Sequence, residues 1–135
     1  MSRLSGRRAA MQMVYESMFG GEGGQDTLIG LIGFEEDDEA DFEFISSLTQ
    51  GVSRYQAELD HEITIRSKNR EFERIPVLVR AILKVALFEL SYLKDSPPSA
   101  VINEAVELAH RYGEEGDSKF INGLLGNFIR DNPQA

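Results

Sequence analysis

Several common features are absent from this sequence, and each absence excludes a class of protein. There is no cysteine among the 135 residues, which excludes a disulfide scaffold, a cysteine-ligated zinc site and thiol catalysis. A chain without cysteine suits the reducing cytosol, so we expect a cytoplasmic location. No apolar run reaches the roughly 18 residues of a membrane span, and no apolar block follows the N-terminal arginines as in a secretory signal.

Positive charge is scarce, and it is unevenly distributed along the chain. The formal net charge of −9 argues against non-specific binding to nucleic acids. However, residues 35–43 hold seven acids and no base, whereas residues 1–15 hold three arginines and no acid. Residues 64–84 hold six basic residues and only two acids. Such segregation of charge is typical of a protein with a binding face.

The apolar pattern predicts an all-α fold in a single domain, residues 1–135. Apolar side chains recur every three or four residues in several stretches, whereas no stretch shows the alternation of a strand. The segment that follows Pro76, residues 77–93, is apolar on almost every side, so we place it at the centre of the fold. The predicted helices span about residues 5–19, 41–63, 77–93, 98–112 and 118–130. Residues 26–33 are predicted as a short helix or an irregular packed segment.

The predicted helices contain interior glycines, among them Gly51, Gly123 and Gly126, and each costs roughly 1 kcal/mol relative to alanine. Gly51 indicates either a bend or a close contact. Gly123 and Gly126 fall opposite the apolar half of the last helix, in a strip between Lys119 and Arg130. Two explanations fit this strip: a second helix packs closely over it, or an RNA backbone or a partner chain approaches there.

The residue types that carry catalysis do not form a recognisable constellation. His61 and His110 lie on different predicted helices in polar surroundings, which is typical of surface histidines. The acidic run at 35–43 lacks the ligand spacing of a calcium loop, and the GGEGG at 20–24 lacks the lysine of a phosphate loop. We therefore predict no catalytic site, no metal and no cofactor, and we favour a binding protein over an enzyme.

Three stretches of the sequence carry a family resemblance. They are RRAAMQMVYE at 7–16, ERIPVLVRAILKVALFELSYL at 73–93 and INEAVELAHRYGEEGDSKFINGLL at 102–125. Together they resemble the NusB family of transcription antitermination factors, and the third stretch is the most specific. The resemblance implies a compact all-helical fold of about six to seven helices in two small subdomains, about 1–70 and 71–135.

The resemblance to the NusB family also implies a function. It implies binding to boxA-type RNA of ribosomal RNA leaders together with NusE, a small-subunit ribosomal protein. The resemblance further implies that the assembly acts on elongating RNA polymerase through other antitermination factors, and that a homodimer that occludes the RNA surface is possible. Because the N-terminus of this chain carries only three arginines, we expect weak RNA binding that NusE strengthens. The alternative is a helical protein–protein interaction module, or a homodimer, without direct RNA binding.

Carried over residue by residue, the resemblance implies two sets of site residues. The RNA-binding set comprises Arg3, Arg7, Arg8, Gln12, Lys119 and Phe120. The partner-binding set comprises Tyr15 on the NusE side, with Arg80 and Lys84 on the central helix. Other roles stay open for some of these residues. The arginines of the N-terminus also fit a solubilising start of the chain, and the two aromatic side chains also fit core packing.

Overall fold

The described part of the chain is built from six α-helices and contains no strand, which confirms the all-α prediction. The computed structural model describes residues 3–18, 39–68 and 70–134. The helices are α1 (Arg3–Ser17), α2 (Glu39–Arg54), α3 (Gln56–Arg66), α4 (Val77–Phe88), α5 (Pro98–Tyr112) and α6 (Asp117–Asp131). The segment 26–33, predicted as a short helix or an irregular packed segment, lies outside the described residues, as do the acidic residues 35–38.

Helix α4 lies at the centre of the molecule, as its apolar sequence predicts. It packs against all five other helices, and residues 81–90 are buried without interruption. A single π-helical turn, Glu89–Leu93, continues α4 to the surface, and a short 3-10 turn, Phe72–Arg74, precedes it. Because α4 joins the helices on both sides of it, the division into subdomains at about residue 70 stays a prediction.

The helix predicted from about residue 41 to 63 is in fact two helices. Helix α2 ends at Arg54 and α3 begins at Gln56, with Tyr55 at the junction. The ring of Tyr55 stacks on that of Tyr92, with ring centroids 4.3 Å apart. Gly51 lies in α2 where an added Cβ would overlap the ring of Phe88. This glycine therefore permits a close contact between α2 and α4, and it does not mark the break.

Candidate nucleic-acid and partner interface

Helix α1 presents one side to the core and another to solvent. Its inner side buries Ala9, Ala10, Met13 and Val14 against α2 and α4. Its outer side carries a stripe at helical spacing in which Arg8 and Tyr15 are half-buried and Gln12 is exposed. We call the residues Arg8, Gln12, Tyr15 and Glu16 the outer stripe of α1. Three of the predicted site residues are therefore neighbours on one helix face.

The outer stripe runs into a surface groove of about 370 Å³. Side chains of three helices line this groove: Met11, Gln12, Tyr15 and Glu16 of α1, Leu78 of α4 and Tyr112 of α5. Tyr112 is 48% exposed, which is unusual for an aromatic side chain next to Leu and Met side chains. The sequence analysis gives Tyr112 no site role, so its position at a surface groove was missed.

Arg7 lies in the interior, although the sequence places it in the RNA-binding set. Only 4% of it is exposed, and its Nε donates a 2.7 Å hydrogen bond to the Glu89 carboxylate. The guanidinium also forms an ion pair with Glu104 and donates to Ser96 Oγ at 3.1 Å. Arg7 thus joins α1 to the π-helical turn and to α5. This placement does not support a direct RNA contact, because the guanidinium is already paired with two carboxylates.

Lys84 is a second buried cation that the sequence assigns to a binding surface. It is 2% exposed; its Nζ lies 2.9 Å from Asp60 Oδ1 and donates to Gln56 Oε1 at 3.0 Å. It therefore ties α4 to α3, and its placement does not support a partner contact. The charge is tolerated inside because a carboxylate and an amide oxygen replace water around it.

Arg80 is half-buried at the start of α4, and its contacts are local. Its Nε donates to the Ile75 carbonyl oxygen at 3.0 Å, and its guanidinium lies 4.9 Å from the centre of the Phe72 ring. These contacts hold the 3-10 turn against α4. Whether Arg80 also touches a partner stays a prediction. Arg3 is the first residue of α1, and its side chain lies outside the described part of the structure.

The other two predicted RNA-binding residues lie in the first turn of α6. Lys119 is exposed, whereas Phe120 is half-buried and packs against the core. The guanidinium of Arg70 lies over the Phe120 ring, 4.6 Å from its centre. Sequence reasoning missed Arg70 because the polar connection that contains it has no helical periodicity to orient its side chains.

The glycine strip of α6 faces open space. Apart from adjoining residues of α6 itself, no atom of the described residues lies within 4 Å of the position that a Cβ would take at Gly123 or at Gly126. Lys119 and Arg130, which flank the strip, are exposed as well. No described helix packs over these glycines, so within the described part of the chain the explanation by close helix packing is wrong.

The described residues hold no group of three or more metal-ligating side chains, and His61 and His110 are exposed. None of the described helices is both long enough and apolar enough to cross a membrane. Among the titratable groups of the described residues, Tyr92 is clearly perturbed: a hydrogen bond to the Glu58 carboxylate raises its pKa to about 12. The phenol is exposed and stays neutral, so this perturbation does not indicate catalysis.

These features define a small helical binding protein, with a polar stripe and an apolar groove side by side on its surface. The NusB family model matches residues 5–130, and the chain belongs to the NusB family. Relatives in this family are named as transcription antitermination proteins and not as enzymes, in agreement with the predicted class.

Similar proteins cover nearly the whole chain. The transcription antitermination protein NusB of Bacillus cereus (strain ATCC 10987 / NRS 248) is 35% identical over 131 residues, covering 97% of this chain and 98% of the relative. The NusB of Bacillus anthracis (strain CDC 684 / NRRL 3495) is 34% identical with the same coverage. A T. maritima NusB structure matches with a TM-score of 0.84 and 26% identity, covering 97% of this chain and 92% of that one.

A structure of antitermination factors NusB and NusE in complex with double-stranded RNA is also similar to this chain. It matches with a TM-score of 0.81 and covers 96% of each chain. At 23% identity, the match shows that the fold is shared.

Proposed function

We propose that this chain is an antitermination factor that binds boxA-type single-stranded RNA of ribosomal RNA leaders together with NusE. In the cytoplasm, the assembly would act on elongating RNA polymerase through other antitermination factors. One observation carries this proposal beyond family membership. The outer stripe of α1 has a cation and an amide at one end, and it enters an apolar groove at the other. A single helix face therefore offers one contact for nucleic acid and one for protein.

The RNA side of this interface uses charge and stacking. Arg8 and Lys119 suit phosphate oxygens, and the amide of Gln12 suits the edge of an unpaired base. Phe120 places an aromatic ring beside Lys119, and aromatic side chains contribute to the binding of unpaired bases of single-stranded RNA. Arg3, at the start of α1, is a further candidate for a phosphate contact.

The partner side is the groove between α1, α4 and α5. Tyrosine is enriched at protein–protein interfaces, and Tyr15 and Tyr112 both line this groove. We assign NusE to the groove and RNA to the polar end of the stripe. The solved complex of another NusB with NusE and double-stranded RNA supports an assembly of these components on this fold.

A titration with and without NusE tests this proposal. The net charge of −9 and the small number of exposed cations favour weak binding of RNA by the isolated chain. A labelled boxA-type RNA is titrated with the chain alone and with an equimolar mixture of the chain and NusE. NusE is expected to raise the affinity about tenfold or more, a coupling of roughly 1.4 kcal/mol. An affinity that NusE leaves unchanged would contradict the proposal.

The second candidate is a protein-binding module or homodimer that does not bind RNA directly. The half-exposed Tyr112 in an apolar groove favours this alternative, because such a groove also suits a second copy of the chain. Light scattering over a range of concentrations measures the oligomeric state. A stable dimer that Tyr112→Ser disrupts, together with no detectable RNA binding, would replace the first proposal with this one.

A further inference from the structure

The contact between Arg70 and Phe120 joins two segments that are far apart in the sequence. Arg70 lies in the connection after α3, and Phe120 lies in the first turn of α6. The guanidinium carbon is 4.6 Å from the ring centre, which is within the range of a cation–π contact. Arg70 is nevertheless exposed, so one side of its guanidinium is available to a ligand. We call this contact the Arg70–Phe120 stack.

The backbone that presents Arg70 is held by hydrogen bonds. Ser67 is buried, and its Oγ donates to the Ile63 carbonyl oxygen at 2.6 Å. The Ser67 amide donates to Thr64, and the Arg70 amide donates to Ser67, both at 3.2 Å. The turn is therefore anchored to the end of α3. A side chain on an anchored turn loses less conformational freedom when a ligand binds.

Three basic residues lie in or next to the two segments that form the stack. Lys68, Arg70 and Lys119 are all exposed, and none of them is within ion-pair distance of a carboxylate in the described part of the chain. Other exposed arginines of the same molecule, Arg74 and Arg111, pair with carboxylates one helical turn away. An aromatic ring covered by an arginine and flanked by unpaired cations is the combination that single-stranded nucleic acids require.

We propose that the Arg70–Phe120 stack is a subsite for one unpaired base of the bound RNA. The base lies on the outer side of the Arg70 guanidinium, so that ring, guanidinium and base form three layers. Lys68 and Lys119 contact the phosphates on either side of this nucleotide. Arginine suits the middle layer because its guanidinium is planar and weakly hydrated. The subsite rests on the proposed RNA-binding function and extends it to the connection after α3.

The experiment measures the affinity of the full chain with NusE for a single-stranded boxA-type RNA. Arg70→Ala is expected to weaken binding about tenfold, the effect of losing one base–side-chain stack. Arg54→Ala is the matched control, because Arg54 is also exposed and lies over an aromatic ring, 5.5 Å from the centre of Tyr55. The control is expected to stay within about twofold of the unmodified chain, since it removes one charge outside the subsite.

A second pair of measurements separates stacking from charge. Arg70→Lys keeps the positive charge but loses the planar guanidinium. It is therefore expected to restore only part of the RNA affinity that Arg70→Ala loses. Abasic nucleotides are then introduced one at a time into the RNA. At one position, the abasic RNA is expected to bind the unmodified chain about tenfold more weakly than the intact RNA does. The Arg70→Ala variant is expected to bind this abasic RNA and the intact RNA with equal affinity. Thermal unfolding of each variant shows that the effect is not a loss of fold.

Several outcomes would overturn the subsite. Equal weakening by Arg70→Ala and Arg54→Ala would reduce the role of Arg70 to general charge. Stacking would be excluded if Arg70→Lys bound RNA as tightly as the unmodified chain. It would also be excluded if, at every position, an abasic nucleotide and Arg70→Ala weakened the affinity additively. If the unmodified chain binds RNA and Arg70→Ala binds it equally well, the subsite fails and the proposed function stands. If the unmodified chain binds no RNA, both fail.

Discussion

Two neighbouring residues, Arg7 and Arg8, lie in contrasting regions of the molecule. Arg7 points into the interior and is neutralised there by Glu89 and Glu104, whereas Arg8 is half-buried on the outer stripe. No carboxylate lies within ion-pair distance of Arg8 in the described part of the chain. The contrast shows that adjacent cations in one basic segment have different roles. The carboxylates that face a cation determine whether its charge is available to a ligand.

The helical glycines show the same contrast between interior and surface. Gly51 faces the ring of Phe88, which leaves no room for a Cβ. Gly123 and Gly126 face open space, so nothing in the described structure requires glycine there. Packing therefore explains the glycine of α2, but it does not explain the two glycines of α6.

The largest effect is expected from removing the interior cation. Arg7→Ala leaves the buried Glu89 carboxylate without its partner, which typically costs about 3–5 kcal/mol of unfolding free energy. Arg8→Ala is the control and is expected to change stability by less than about 0.5 kcal/mol, since it is a surface substitution. Urea denaturation measures both variants. Equal stability of the two would show that the Arg7 ion pairs contribute little.

A smaller loss of stability is expected from filling the space at Gly51. Gly51→Ala forces a methyl group against Phe88, and such overpacking costs roughly 1–3 kcal/mol. The same substitution removes a helix-interior glycine, which offsets the loss by up to about 1 kcal/mol. Denaturation of the double variant Gly51→Ala/Phe88→Leu checks the cause, because the smaller side chain should restore part of the stability. No recovery would argue against the contact.

The opposite sign is expected on the open strip of α6. Replacing Gly123 and Gly126 together by alanine should stabilise the chain by up to about 2 kcal/mol, because each glycine costs about 1 kcal/mol in a helix. Reduced affinity for RNA or NusE in this stabilised variant would show that the bare backbone serves binding. Unchanged affinity for both would refute a binding role, and destabilisation would contradict the open geometry.

The smallest effect concerns the hydrogen bond between Tyr92 and Glu58. Because the bond to the carboxylate raises the pKa of Tyr92 to about 12, the folded state holds the phenolic proton more tightly than the unfolded state. The resulting stability is present below the unfolded pKa of about 10 and is lost as the pH rises towards 12. Phenolate absorbance should show one late-titrating tyrosine, which Glu58→Gln returns to the ordinary range. Identical titrations would exclude the bond.

Helical periodicity is sufficient to predict the fold class and the central position of α4. A helix that is apolar on almost every side, such as residues 77–93, must be buried on most of its sides. The boundaries are less predictable. Helix α1 begins at Arg3, before the start predicted near residue 5. The stacking of Tyr55 on Tyr92 lies at a junction between helices that local spacing does not reveal.

Burial of the two cations was not predictable from local sequence. Arg7 meets Glu89, which is 82 residues away, and Lys84 meets Asp60 from another helix. A basic residue in a helix is compatible with solvent or with a distant carboxylate, and only the tertiary fold decides between them. For the same reason, the position of Arg70 over Phe120 follows from the fold and not from a motif.

The salt dependence of RNA affinity tests most directly whether Arg8 and Lys119 bind the RNA phosphates. About three phosphate contacts to a single strand predict that log affinity falls with log salt at a slope of roughly −2. The double variant Arg8→Ala/Lys119→Ala is expected to reduce the magnitude of this slope by about 1.4, since two contacts are lost. The control Arg54→Ala/Arg111→Ala removes two other exposed charges and should leave the slope unchanged. Equal slopes for both double variants would contradict the assignment of Arg8 and Lys119 to RNA.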